Sequence, residues 1–226
     1  MSSKVKDLQL AGPVSHPSPR GTLFVVSSPS GGGKGTIIRH VLDCVENLSY
    51  SVSFTTRAPR PNETHGREYF FIGRETFDEM VATGEFLEWA CVHGNFYGTS
   101  RRQILEETAT GADIILEVDV QGAASVRQLL MDSVSVFILP PSYEVLRQRL
   151  IARGTDSPEE LEVRLRNAPE ELKQYSAFDY VIINDQIYRA AGSLRRSFMP
   201  SGPVACARKV SSGKLFKTFN NRRFKD

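Results

Sequence analysis

A lysine set behind three consecutive glycines is the pattern in this chain with the clearest chemistry: Ser27-Ser28-Pro29-Ser30-Gly31-Gly32-Gly33-Lys34-Gly35-Thr36. Glycines let backbone N–H groups turn inward around an anion, a following helix adds the partial positive charge of its N-terminus, and Lys34 adds a full one. The stretch is close to the phosphate cradle G-x-x-x-x-G-K-[ST]. Two departures stand out: Ser28 replaces the first glycine, and Gly35 stands where a hydroxyl usually ligates Mg²⁺, with Thr36 one residue late. One helical position turns a side chain by roughly 100°, so Thr36 would reach such a metal only through water.

Other charged residues could act on the same anion. Arg57 and Arg60 sit on a loop stiffened by Pro59 and Pro61, and paired guanidiniums can grip a phosphate bidentately. Asp119 follows a buried apolar run, the place for a carboxylate that serves Mg²⁺ or orients a phosphate-binding arginine. Glu117, two residues earlier, points to the same side. Arg147, Arg149, Arg153, Arg164 and Arg166 flank a break at Gly154-Thr155-Asp156-Ser157-Pro158. A hinged helix pair bearing cations suits a lid that closes over a transferring phosphoryl group and excludes water.

These residues need a scaffold that brings strand ends together. Leu23-Phe24-Val25-Val26 predicts a buried strand feeding the cradle, and Ile37-Ile38-Arg39-His40-Val41-Leu42 a helix leaving it. Ile114–Val118, Val134–Leu139 and Tyr180–Ile183 read as further buried parallel strands, with Leu48–Phe54 extended. Helices are expected over Tyr143–Ala152, from Ser157 onward, and over Ile187–Phe198. Ser157, Pro158 and Glu160 form a capping box, and Pro169 should kink or restart the helix they begin. Between Arg67 and Thr110 the pattern breaks into short pieces: strands at Tyr69–Ile72 and Phe86–Val92, a turn at Gly94-Asn95 leading to Tyr97-Gly98-Thr99, and helices about Phe77–Thr83 and Arg101–Thr108. Together they read as an inserted subdomain of mixed α/β structure. The expected fold is α/β, a doubly wound parallel sheet whose ligand lies beyond the carboxyl ends of its strands.

The 226 residues, 40% hydrophobic and 24% charged, suffice for one large α/β domain. No run is long enough to span a membrane, and residues 1–20, rich in Ser and Pro, lack the apolar stretch of a signal peptide and read as a flexible leader. Cys44, Cys91 and Cys206 are odd in number and without metal-ligand spacing, which fits a reducing cytoplasm; Cys44 and Cys91 are expected to be buried as small hydrophobes. Residues 207–226 carry seven Lys and Arg against Asp226, leaving 21 basic and 25 acidic residues elsewhere. The basic character therefore belongs to a solvated tail, whose contact with nucleic acid through Phe216, Phe219 and Phe224 stays open, as does a homo-oligomer.

The run Thr55-Thr56-Arg57-x-x-Arg60-x-x-Glu63-x-x-Gly66-x-x-Tyr69-x-Phe71 resembles the signature of guanylate kinases. Similar too are Gly84-Glu85-Phe86-Leu87-Glu88-Trp89, Tyr97-Gly98-Thr99, Glu117-Val118-Asp119-Val120-Gln121-Gly122 and Arg153-Gly154-Thr155, the resemblance running from about Leu23 to Phe198. In that family the cradle often begins with Ala or Ser and often reads Lys-Gly-Thr. The resemblance implies a P-loop nucleoside monophosphate kinase: transfer of the γ-phosphoryl of ATP to GMP, and to dGMP, with Mg²⁺ accompanying ATP and held mainly by phosphates and water, with Thr36 or Asp119 as further ligands.

Carried over, Ser53, Arg57, Arg60 and Tyr69 hold the GMP phosphate with Tyr97 beside them, Glu88 and Thr99 read guanine, the Thr99 hydroxyl donating to O6, and Asp119 organises Arg57 or the metal. Ser28, Pro29, Ser30, Gly31, Gly32, Gly33, Lys34, Gly35 and Thr36 bind the ATP phosphates, with Lys34 on the β and γ groups. Arg149 and Asn184 line the adenine, and Arg153 and Arg164 are lid arginines that join Lys34 and Arg57 in catalysis. The implied division is a core at 21–52 and 112–200, a GMP-binding insert at about 53–111, a helical lid at about 147–168 and a tail at 201–226. Two rivals remain: a catalytically dead module of the same fold that binds protein, and a kinase for a different monophosphate.

Overall fold

The computed structural model describes residues 20–198 apart from positions 93, 131, 155 and 156, with backbone alone at position 153. β1 (Leu23–Ser27) is buried along its whole length, as a central parallel strand covered on both faces must be. Leu23 and Val25 turn to one face and meet Ile104, Ile114, Leu116 and Val126. Phe24 and Val26 turn to the other and meet Ile37, Val41, Ile138 and Leu194. β7 (Asp113–Glu117) and β8 (Val134–Leu139) flank β1 in parallel, with Val26 opposite both Glu117 and Val136. β9 (Tyr180–Ile183) lies beyond β8, and β2 (Leu48–Ser51) beyond β7. The order β2-β7-β1-β8-β9 is the doubly wound sheet the sequence implied, with one more strand.

α1 (Lys34–Leu42) and α7 (Ile187–Ser197) cover one face. α3 (Arg101–Ala109) and α4 (Val120–Leu129) cover the other. No helix among the described residues is long and apolar enough to cross a membrane. The leader, the basic tail and Cys206 lie outside the described residues.

The extended stretch expected over Leu48–Phe54 is two strands in two sheets. β2 closes the core sheet; the chain then crosses at Val52 and Ser53, whose carbonyl accepts from Phe70, and enters β3 (Phe54–Thr55). β3, β4 (Phe70–Phe71), β5 (Phe86–Val92) and β6 (Asn95–Ser100) form a second sheet ordered β4-β3-β6-β5, parallel between β3 and β4 and antiparallel elsewhere. α2 (Arg74–Ala82) closes it through Phe77, fully buried against Phe86 and Phe96. A register irregularity between Phe86 and Glu88 resets the alternation, so that Glu88, Ala90 and Val92 face the core domain. The same alternation turns Cys91 outward with Trp89, and Cys44 sits in the turn after α1. Both thiols are exposed, correcting the expectation that they were buried.

α5 (Tyr143–Arg153) and α6 (Pro158–Lys173) form a hairpin sealed by Leu146, Leu150 and Ala168 with Leu161 and Leu165. The capping box at Ser157 and Glu160 is present in both directions. α6 does not restart at Pro169; it continues to Lys173. A proline there leaves the carbonyl four residues back without its helical donor. That carbonyl belongs to Leu165, and the Tyr143 hydroxyl lies 3.5 Å from it.

Candidate active site

At the carboxyl end of β1 the backbone turns through Gly31 and Gly33, at φ +80° and +86°. A side chain at Gly33 would also collide with Asn184, whose Nδ2 would lie 2.3 Å from a Cβ there. The loop is braced from outside. Asn184 Nδ2 donates to the Gly32 carbonyl at 2.9 Å, Arg149 Nη1 donates to it at 3.4 Å, and Arg149 Nη2 donates to the Asn184 carbonyl at 3.0 Å. Asn184 is 2% exposed, and its Oδ1 has no hydrogen-bond partner among the described residues. From α6, Arg164 Nη1 donates to Ser30 Oγ at 3.0 Å, while the Ser30 N–H donates to Glu171 Oε2 at 3.1 Å. Both helices of the hairpin thus grip the loop from its rim.

Lys34 opens α1 and reaches across to β7, donating from Nζ to the Val118 carbonyl at 2.6 Å and lying 3.7 Å from Glu117 Oε1. The other Glu117 oxygen accepts from the Tyr50 hydroxyl at 3.2 Å. Burial and the neighbouring Glu117 charge push the Tyr50 hydroxyl far above its ordinary range, so it stays a donor. A Cβ on Gly35 would stand 3.8 Å from both Glu117 oxygens, so a carboxylate borders the space that a hydroxyl at position 35 would enter. No group of three or more His, Cys, Asp or Glu side chains gathers as a metal cage among the described residues. One carboxylate and Thr36 beside a phosphate cradle suit a hard cation that keeps several waters and takes phosphate oxygens, as Mg²⁺ does.

Across the cavity, Arg57 is held by Glu63 and not by Asp119, so of the two roles expected of Asp119, organising Arg57 or the metal, the first is not seen. Its Nη2 donates to both Glu63 oxygens at 2.9 and 2.8 Å, and its Nη1 donates to the Ala58 carbonyl at 2.6 Å. Glu63 also accepts from the Arg60 N–H at 2.9 Å and lies 3.5 Å from the Arg60 guanidinium. Burial works against both charges. The Arg60 N–H and the Arg57 bonds more than offset it at Glu63, whose carboxyl falls below its usual range, and Arg57 is held above its own. The Arg57 guanidinium lies over the Tyr69 and Phe71 rings. Asp119 caps α4 instead, accepting from the Gly122 N–H at 2.8 Å.

Glu88 is 7% exposed, and burial raises its carboxyl to about 7 although the Thr99 hydroxyl donates to Oε1 at 2.5 Å; Asp119 adds to the rise. Thr99 is fully buried behind the carboxylate and does not line the cavity. The expectation that its hydroxyl serves guanine O6 is therefore corrected: its proton is committed to Glu88.

One cavity of about 1090 Å³ joins these parts. It is lined by Ser28, Pro29, Ser30, Gly31, Gly32, Gly33, Lys34, Gly35 and Thr36, by Ser53, Arg57, Arg60, Tyr69, Glu88, Tyr97 and Asp119, and by Arg149, Arg164 and Asn184. Of the residues singled out from sequence, it omits Thr99, Arg147 and Arg166, and the Arg153 side chain lies outside the described residues. Sequence reasoning gave no role to Glu63 or Glu117 and passed over Tyr50 and Glu171. Glu63 stood inside a quoted motif, whereas Glu171 had no signal beyond its charge.

A family model described as Guanylate kinase matches residues 20–200. The chain belongs to the guanylate kinase family. Among its relatives, the guanylate kinase of Dechloromonas aromatica (strain RCB) is 49% identical over 197 residues, covering 87% of this chain and 98% of the relative. That of Symbiobacterium thermophilum is 51% identical over 181 residues, covering 80% and 86%. The crystal structure of guanylate kinase from Anaplasma phagocytophilum superposes with a TM-score of 0.66 at 36% identity, covering 78% of this chain and 83% of that one. In this guanylate kinase family member the matched region takes in the cradle, the second sheet and the α5–α6 hairpin together.

Proposed function

We propose that this chain is an active guanylate kinase, transferring the γ-phosphoryl group of ATP to GMP and dGMP in cytoplasmic purine nucleotide metabolism. One observation carries the reading: a phosphate cradle with Lys34 and an arginine pair with a buried carboxylate line the same cavity. The donor binds the Ser28–Thr36 loop, with Arg149 and Asn184 at the adenine. The acceptor phosphate takes Ser53, Arg57, Arg60, Tyr69 and Tyr97. Its guanine edge meets Glu88, which Thr99 holds in place. Residues 53–111 form the GMP-binding insert, and the α5–α6 hairpin is the lid, bringing Arg153 and Arg164 over the transferring group. The joint retention of these cations speaks against a protein-binding module without activity.

Thr36 and Glu117, with Asp119 two residues beyond Glu117, are the side chains that would hold Mg²⁺ brought in with ATP, and the ion would supply charge screening at the β and γ phosphates. The chain itself positions and neutralises. The GMP phosphate is already mostly a dianion at neutral pH, so no side chain must remove a proton. Lys34, Arg57 and the lid arginines offset charge on the three equatorial oxygens as the phosphoryl group passes between the nucleotides. Glu63 keeps Arg57 and Arg60 from repelling each other before GMP arrives. Closure of insert and lid excludes water that would otherwise take the phosphoryl group.

The test is a coupled assay for ADP. Release should require GMP and Mg²⁺ together with ATP, and an ADP signal indifferent to GMP would reject the reading.

Glu88 makes GMP binding pH-dependent. Guanine offers two donors, N1–H and N2–H₂, so the ionised carboxylate is the binding form, and GMP affinity should fall by up to about tenfold per unit below pH 7. Calorimetric titration in buffers of differing ionisation enthalpy should show proton release near pH 6, reduced in Glu88→Gln to the share owed to the GMP phosphate. Stability follows the same group in the opposite sense. With its pKa raised from 4.5 to about 7, Glu88 contributes stability that is full below pH 4.5 and lost as pH rises through 7.

A further inference from the structure

Gly122 is the third residue of α4, buried, with its N–H on Asp119. A Cβ built on it would lie 2.9 Å from Glu88 Oε2, closer than real Cβ contacts come, and 3.2 Å from both Asp119 Oδ1 and the Val118 Cβ. The other Glu88 oxygen is fixed by Thr99 at 2.5 Å. The carboxylate is thus clamped between a hydroxyl of the second sheet and a helix turn of the core, and the helix side is open only because position 122 has no side chain. We propose that Gly122 is a specificity-positioning residue for the acceptor base: its missing Cβ is the seat that lets Glu88 present its carboxylate squarely to guanine. The proposal rests on the reading of Glu88 as the residue that meets the guanine edge.

The physics separates recognition from folding. Oε2 is the far end of a flexible side chain, so a methyl group at position 122 can be accommodated by displacing it. Position 122 is helical, where alanine is the better residue. The cost of the substitution therefore falls first on the orientation of the carboxylate, with Asp119 Oδ1 and the Val118 Cβ, each 3.2 Å from the added methyl, yielding less. Two parallel hydrogen bonds to N1 and N2 need both oxygens in the plane of the base, and displacements on this scale are expensive where geometry is shared among several contacts.

The test uses the full chain. Gly122→Ala should weaken GMP binding, measured by titration calorimetry, by about 10- to 100-fold. It should leave binding of a non-hydrolysable ATP analogue within about twofold, and the melting temperature should not fall by more than about 4 °C. In Glu88→Gln the further change Gly122→Ala should cost GMP affinity much less than in the wild type, because the two-acceptor contact it misaligns is already lost. GMP binding that survives Gly122→Ala while Glu88→Gln abolishes it overturns the role of Gly122 alone. Survival in both variants overturns the reading of Glu88. A collapse of the melting temperature, or equal losses of GMP and ATP-analogue binding, makes Gly122 a folding residue and overturns the proposal as well.

Discussion

Lys34→Ala should lower kcat by about 10³-fold or more, roughly 4 kcal/mol of transition-state stabilisation, while leaving the fold intact. Lys34 Nζ sits between the glycine loop and the end of β7, bonded to the Val118 carbonyl and facing Glu117. It can swing from that seat onto a phosphate without any strand moving. Among the described residues, the arginines beside the cradle, Arg149 and Arg164, spend donors on its rim, on Gly32 and Ser30. Losing the ammonium also leaves Glu117 facing the phosphates with the Tyr50 hydroxyl as its remaining partner among the described residues, so the local potential becomes less favourable than a neutral gap. The fold should survive because the lost contact lies at a strand end and the buried faces of β1 and α1 do not use it. A coupled ADP-release assay at saturating GMP and Mg²⁺ reads the effect, with a thermal melt to confirm folding. Retention of more than about a tenth of wild-type kcat would show that charge at this position does not carry the transfer.

The sheet was legible because its strands are buried on both faces: Leu23–Val26, Val136–Leu139 and Tyr180–Ile183 are continuous apolar runs, a pattern that few other elements produce. β2 was harder to place. Leu48-Ser49-Tyr50-Ser51 is half polar, and its serines and Tyr50 find partners on Gln103, Glu107 and Glu117 that only the fold brings near. α4 was passed over because Gly122 in its first turn weakens the local signal. The structure gives that glycine a close approach to Glu88.

The cradle could be read from sequence because its chemistry is local: glycines, lysine and helix start are contiguous. The base-reading end was harder, since Glu88 and Thr99 are eleven residues apart and meet only across antiparallel strands. Which of them faces the ligand depends on the pleat and on the irregularity beside Glu88, and composition shows neither. Glu63, Glu171 and Tyr50 act by holding other residues. A charge that positions a neighbour looks the same in sequence as one that meets solvent. The restart expected at Pro169 does not occur, and the donor near Leu165 comes from Tyr143, on a different helix.

Glu88→Gln should change which base is accepted. Guanine presents two donors, N1–H and N2–H₂, and a carboxylate accepts both. Adenine presents an acceptor at N1 beside the N6 amino donor, so AMP would leave Glu88 buried and charged against a lone pair. Sites built to hydrogen-bond their substrate reject a mismatched analogue by about 10⁴-fold in kcat/KM, and an uncompensated buried charge is costly enough to account for it. A glutamine amide carries a donor as well as an acceptor, so its N–H₂ can meet adenine N1, where the carboxylate could not. The variant should therefore lose most of its GMP affinity and gain activity toward AMP, with ATP binding and melting temperature unchanged. Protonation has the same chemical sense: with its carboxyl near 7, Glu88 becomes a donor–acceptor pair in acid. Discrimination by the wild-type chain should therefore shrink as pH falls from 8 to 6, while the variant shows no such slope. Measuring kcat/KM for GMP and AMP in both proteins at both pH values decides the matter. If Glu88→Gln keeps the wild-type preference, the carboxylate that faces guanine is Asp119 or another residue of the cavity wall, and Glu88 is a buried acid held by Thr99 for the sake of the second sheet.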